Sequence, residues 1–258
     1  MPDLDYSVNE RVATITLNRP ERKNAFTGAM VDSWADVLIS AQADEDVRAI
    51  VVTGAGSDFC SGVDLDEFTG RERTALAAKQ FLTQHVHRVA HALEDVDKPV
   101  LAAVDGVAIG AGMDMALMCD YRLASRTARF SEGYIRVGLV PGDGGCWLLP
   151  RVVGPSRALR LLWTGEFVAA QQALELGIVD ELAEDVRTAA KDFAQVLAAQ
   201  PPTAIRIIKR AVRQGARHDF MTALDLVSSH FGVIAGTEDS AEAYAAFVSK
   251  RPATFTGR

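Results

Sequence analysis

Cysteine is scarce. Cys60, Cys119 and Cys146 are three in 258 residues, widely spaced, without a CxxC pair or a neighbouring histidine cluster. That excludes a disulfide framework and a zinc site, and it fits a reducing, cytoplasmic compartment. A basic surplus is also missing. The chain has 27 Lys and Arg against 34 Asp and Glu, a formal net charge of −7, so it offers no general footprint for nucleic acid or an anionic membrane. Any anionic ligand must be met by local cations. No long apolar run occurs either: the most apolar stretch, Val100 to Met118, is interrupted by Asp105, Asp114 and three glycines, which makes it a poor membrane span. The first thirty residues lack a basic start followed by an apolar run, so no export signal is expected. "TGAGSDF" and "GAGMDM" both lack the third glycine of GxGxxG, and no Walker-type GK[ST] is present, which argues against a nucleotide-binding fold.

What remains is an ordinary globular composition, 48% apolar and 24% charged, in a chain long enough for one large domain with a small appendage. "RVATITLNRP" alternates towards a turn, while "AIVVTGAG" (49–56) and "KPVLAAVDG" (98–106) are continuous apolar runs ended by glycine, as in strands buried on both faces. "YRLAS" (121–125) and "GIVDELA" (177–183) are weaker strand candidates. Helical spacing covers 27–42, 75–95, 111–118, 156–163, 170–176 and 186–199. The alternation predicts an α/β class with mostly parallel pairing over residues 1–200. From Pro201 the pattern is helical throughout, so 201–258 reads as a helical region. Its alanine-rich faces would suit either a neighbouring subunit or the chain's own core.

"VAIGAGMDMALMCD", Val107 to Asp120, places a glycine pair and a carboxylate at the mouth of an apolar helix. Both choices are locally costly. The first N–H groups of a helix have no internal partner and carry the positive end of its dipole, so a carbonyl oxygen gaining negative charge could sit there. Gly110 and Gly112 would let that oxygen approach. "FCSGVDLDEF" (59–68) sets Gly62 and Val63 just after a buried strand, where one more N–H could converge on the same point. Two such donors make an oxyanion hole.

"SGVDL", "AAVDGVAIGAGMDMALMCDYRLAS", "ARFSEGYIRVGLVPGDGG", "LPRVVG" and "ALELGIVDEL" together, in order and spacing, resemble the crotonase superfamily, the enoyl-CoA hydratase/isomerase group. The likeness runs from "RPERKNAF" to "AFVSKRPATF". It implies a ββα spiral core, a C-terminal helical trimerisation region giving a homotrimer or dimer of trimers, and an acyl-CoA substrate. Coenzyme A then enters as part of the thioester, with no tightly bound cofactor and no metal. The resemblance places the two oxyanion N–H groups on Val63 and Ala111. It assigns substrate and CoA contacts to Arg22, Lys23, Ala25, Ser61, Asp64, Leu65, Gly110 and Tyr134, with Phe247 and Lys250 reaching a neighbouring subunit's CoA.

Hydratases of that group carry two glutamates. Here their positions match Asp114 and Tyr134, and a phenol of pKa about 10 is no ready base at neutral pH. The candidates for proton transfer are therefore Asp114, one turn from the oxyanion donor, and Asp143, flanked by glycines in "VPGDGGCW". The β-diketone hydrolase branch, which cleaves carbon–carbon bonds without CoA, shows PGDG in register with Asp143, but its histidines match Ala111 and Ile135. That activity and a catalytically silent acyl-CoA binder are the alternatives. Glu132 is a third carboxylate, expected at the periphery, while Tyr134, Trp147 and Phe68 are candidates for shaping the acyl pocket.

Overall fold

Strand β1 (Leu4–Asn9) turns back on β2 (Val12–Leu17), and α1 (Gly28–Ala43) follows, its first turn capped by the Thr27 side chain accepting from the Met30 N–H. The computed structural model describes residues 3–70 and 74–258. Every residue of β3 (Ala49–Gly54) is buried, as its continuous apolar run requires. Three short helices come next, α2 (Leu65–Gly70), α3 (Ala75–Phe81) and α4 (His87–Asp95). A π-helical turn at Leu82–Val86 joins the last two, so the helix expected over 75–95 carries a bulge. The middle of the chain holds β4 (Val100–Val104), β5 (Val107–Ile109), α5 (Ala111–Met118), β6 (Tyr121–Ser125) and β7 (Arg129–Ser131). After a 3-10 helix at Gly133–Val137 come α6 (Gly145–Val153), α7 (Pro155–Thr164), β8 (Val168–Ala169), α8 (Ala170–Leu176), β9 (Glu181–Ala183) and α9 (Val186–Ala198). Three helices close the chain: α10 (Pro202–Gly215), α11 (Phe220–Ala235) and α12 (Glu238–Val248).

The larger sheet has the order β1-β2-β3-β4-β6-β9, antiparallel only between β1 and β2. One face packs on α9, whose Val186, Ala190, Ala194 and Ala198 meet Val12, Ala49, Val51 and Leu101. The opposite face, with Ile15, Ile50, Val52 and Val104, joins Trp34 and Leu38 of α1 in the main core. A second sheet, β5-β7-β8, lies beside it. Because β3 and β4 are parallel, the chain leaves both at the same edge. The two exits meet where Cys60 bridges Ala108, with the Cys60 N–H donating to Val107 O and the Ile109 N–H to Cys60 O. That junction positions the site.

Helix α10 is fixed to the core by ion pairs of Arg206 with Asp97 (2.6 Å) and of Lys209 and Arg213 with Asp120 (2.6 and 2.9 Å). Neither α10 nor α11 has a buried residue, and on α11 Phe220, Met221 and Phe231 stand exposed.

Candidate active site

The loop after β3 and the β5–α5 turn line one pocket of about 290 Å³. Val63 and Ala111 both lie on its wall. Among the described residues neither of their N–H groups reaches a backbone acceptor, whereas the adjoining amides of Asp64 and Gly110 are taken by Phe26 O and Ser131 O. Ala111 is the first residue of α5, so its N–H points out of the helix with the positive end of the dipole. The loops approach closely: a methyl group on Gly62 would lie 3.7 Å from the Ala111 nitrogen. The stretch from Arg22 to Phe26 is laced to the same loop. The Ser61 N–H donates to Lys23 O, the Phe26 N–H to Gly62 O and the Asp64 N–H to Phe26 O.

Behind this wall sits a cluster of three carboxyl groups and a phenol. Tyr134 Oη lies 2.8 Å from Asp114 Oδ2 and 2.7 Å from Asp143 Oδ2. A phenol has one proton, so only one of these contacts can use it; the other needs a proton on an aspartate. Tyr134 and Asp143 line the pocket, while Asp114 has no exposed surface, lies off the wall and is linked to it through the Tyr134 hydroxyl. Burial weakens every acid here by raising its pKa. Asp143 is pushed above the usual carboxylate range by burial, against the pull of the Tyr134 hydrogen bond and the charge of His87. Asp114 is raised by burial and by the charge of Asp143, opposed by Tyr134, Glu132 and the Gly145 amide. Burial, then the charges of Asp114 and Asp143 on either side, raises Tyr134 well beyond an ordinary phenol. His87, from α4, donates its Nε2–H to Gly142 O at 2.8 Å and so braces the Asp143 loop.

These raised values make a stability prediction. The folded state holds protons that the unfolded chain releases, so stability is fully present below the ordinary carboxylate pKa of about 4 and is lost as pH rises through the folded values. Asp114→Asn removes the cost of protonating a buried acid while leaving an amide that can donate to Tyr134. Thermal unfolding should show this variant stabilised at neutral pH by roughly 1–3 kcal/mol, with the gain vanishing near pH ~4.

Several expectations are corrected. Gly112 is absent from the pocket wall; a methyl there would fall 2.2 Å from Cys60 O, so its smallness serves the contact between α5 and the Cys60 loop rather than ligand approach. Glu132 is not peripheral. The chain enters the 3-10 helix at Gly133, breaking the extended geometry that would have put 132 and 134 on one face, and Glu132 is buried against Asp114. Trp147 lies outside the pocket and half-exposed, under the Arg151 guanidinium at 3.7 Å, whereas Phe68 does line the pocket. Of the residues assigned to substrate or CoA, Ser61, Leu65, Gly110 and Tyr134 line the pocket. Asp64 is committed elsewhere, pairing with Arg19 at 2.8 Å and accepting from the Asp66 N–H at the start of α2. Exposed Arg22 pairs with Asp66 at 2.9 Å, Lys23 lies 3.9 Å from Asp58, and Ala25 is next to Phe26 on the laced strip. Phe247 and Lys250, at the end of α12, do not line this chain's pocket. Sequence reasoning missed Asn24, fully buried, whose Nδ2 donates to Ala55 O and Asp58 O and so shapes the loop after β3. A buried amide in a charged, turn-forming stretch leaves no mark in the pattern.

The model for the family "Enoyl-CoA hydratase/isomerase" matches residues 7–258. The 1,2-epoxyphenylacetyl-CoA isomerase of Escherichia coli is 37% identical, covering 97% of both chains, and the short-chain-enoyl-CoA hydratase of Clostridium acetobutylicum is 35% identical over 93% of this chain and 92% of that one. The crystal structure of enoyl-CoA hydratase from Bacillus anthracis superposes with a TM-score of 0.95 at 28% identity, covering 100% of both chains. With a mixed α/β core of matching architecture, paired loops at one pocket and a family match over nearly its whole length, this chain belongs to the enoyl-CoA hydratase/isomerase family of the crotonase superfamily.

Proposed function

We propose that this enzyme isomerises an unsaturated acyl-CoA by moving one proton along the acyl chain, with Asp143 as base and the N–H groups of Val63 and Ala111 holding the thioester oxygen. The observation that carries the reading is the hydrogen-bonded chain from Asp114 through Tyr134 to Asp143. Asp114, deepest in burial, keeps its proton and donates it to the Tyr134 oxygen; the phenol donates to Asp143; the remaining negative charge rests on Asp143, at the pocket. Asp143 takes a proton from the carbon next to the thioester, the C–H electron pair moves into the carbonyl, and the resulting dienolate oxygen sits against the two amides. Returning the same proton two carbons further on shifts the double bond and restores the Asp143 carboxylate. Hydration would need a water held between two acids, and the second acid position is a phenol already bonded to both aspartates. Apolar walls, including Phe26, Phe68, Phe81 and Val140, favour a hydrocarbon acyl group.

The thioester's CoA would run along the laced strip at Ala25, where Arg22 and Lys23 supply local cations, and no tightly bound cofactor takes part. Residues 201–258 would mediate a homotrimer or a dimer of trimers that carries the exposed Phe247, with Lys250, to a neighbour's CoA; the exposed apolar side chains of α11 support this. Three free cysteines fit a cytoplasmic site of action.

Assays with 3-enoyl-CoA and crotonyl-CoA test the reaction. Isomerisation is expected, with the acid limb of its pH profile above the ordinary carboxylate range because Asp143 must be ionised. Fast hydration of crotonyl-CoA without isomerisation would replace this reading with a hydratase. Turnover of a free β-diketone without CoA would replace it with a carbon–carbon hydrolase.

A further inference from the structure

Glu132 is 1% exposed, and neither of its carboxyl oxygens has a hydrogen-bond partner among the described residues. Asp114 Oδ1, the oxygen not facing Tyr134, has none of ordinary hydrogen-bond geometry either, although the Gly145 amide at the start of α6 acts on Asp114. The two groups converge over the first residue of α6. A methyl group on Gly145 would lie 2.4 Å from Asp114 Oδ1 and 3.0 and 3.1 Å from the two oxygens of Glu132, so only a glycine lets both carboxyls occupy this space. The titratable groups acting most on Glu132 are Asp114 of α5, Cys146 of α6 and Asp143 of the preceding loop. Each of these can only become negative, and no cation stands among them. Two facing carboxylates in such a place would repel across a medium that screens poorly, whereas a proton between them turns the contact into a hydrogen bond.

We infer that Glu132 is a neutral carboxylic acid that donates its proton to Asp114 Oδ1 and thereby aims Asp114 Oδ2 at Tyr134, making it a positioning residue for the chain that ends at Asp143. This rests on the proposed proton transfer only for its catalytic consequence; the protonation itself belongs to the resting protein. Every donor in the series then points one way, from Glu132 to Asp114 to Tyr134 to Asp143, and the single negative charge is held where a substrate proton arrives. Burial and the charge of Asp114 keep the Glu132 proton in place well above the usual carboxylate range. A neutral donor also orders Asp114 without adding a second charge to the cluster.

Two variants separate the donor from the charge. Glu132→Gln retains an N–H for Asp114, while Glu132→Met removes the hydrogen bond at similar volume. In the ligand-free protein at neutral pH, difference infrared spectroscopy should show a protonated-carboxyl C=O band that Glu132→Gln removes. In the isomerase assay, Glu132→Gln should keep kcat within about threefold and leave the acid limb in place, whereas Glu132→Met should lower kcat by about tenfold, the worth of one hydrogen bond, and move the limb upward. Absence of that infrared band from the wild type would overturn the inference. So would an acid limb displaced downward in Glu132→Gln, because it would mean that an ionised neighbour had been removed. A wild-type protein with no turnover would defeat the isomerase reading alone and leave the infrared comparison to decide the state of Glu132.

Discussion

Asp143→Asn is expected to lower kcat for 3-enoyl-CoA isomerisation by about 10²–10⁴-fold, the usual loss of a general base, while Asp114→Asn loses at most about tenfold. The contrast follows from depth. Asp143 lines the pocket and is the one carboxyl of the series placed to meet a substrate proton, and its amide cannot accept one. Asp114 is sealed behind Tyr134 and acts as a donor to the phenol oxygen, a task an amide N–H can perform. Steady-state kinetics of the two variants at saturating substrate decide between this order and its reverse. If Asp114→Asn were the inactive variant and Asp143→Asn the mild one, proton transfer would have to run from the deeper acid, and the direction assigned to the series would be wrong.

The second large effect concerns groups that side-chain replacement cannot delete. Val63 and Ala111 contribute main-chain N–H groups, so their alignment must be disturbed through the backbone. Gly112→Ala does this: its methyl group, fixed to the helix backbone, would meet the backbone Cys60 O at 2.2 Å, and neither can swing aside, so α5 and the Cys60 loop must separate. Ala111 would move with the helix and Val63 would stay with the loop. Loss of one such donor raises the barrier by about 2.7–4 kcal/mol, about 10²–10³-fold in kcat. The substrate's ground state, less charged at the carbonyl, should feel the change far less, so KM should move little. Circular dichroism and thermal unfolding of the same sample verify that the fold persists. A folded Gly112→Ala protein with unchanged kcat would show that the two amides do not act together.

How much of this was legible depended on the range of the interaction. Helix α5 matched its expected span, 111–118, because its signals are local: an apolar run after a glycine, with a polar break at Cys119–Asp120. Strands β3 and β4 were equally plain, since burial on both faces leaves a continuous apolar run. The second sheet was not, because β5, β7 and β8 are three, three and two residues long, too short for any periodicity. Helix α6 was hidden by the glycines before it and by Pro150 within it, which read as loop. At the site, the convergence of "SGVDL" on "IGAGMD" could be anticipated from glycines at two strand exits, and both loops do line one pocket. The burial of Glu132 against Asp114 could not, for it depends on how β7 docks on β5 and on the 3-10 turn at Gly133. Nor could the role of His87, which reaches the Asp143 loop from a helix distant in sequence.

The proposed catalysis requires two amides from separate loops to share one oxygen while Asp143 faces the carbon chain. A crystal structure with an unreactive acyl-CoA thioester bound tests it most directly. The thioester oxygen should lie about 2.7–3.1 Å from both the Val63 and Ala111 nitrogens, with Asp143 Oδ1 or Oδ2 beside the acyl carbons. A carbonyl bound elsewhere in the pocket, or held by one amide with Asp143 turned away from the acyl chain, would contradict the account.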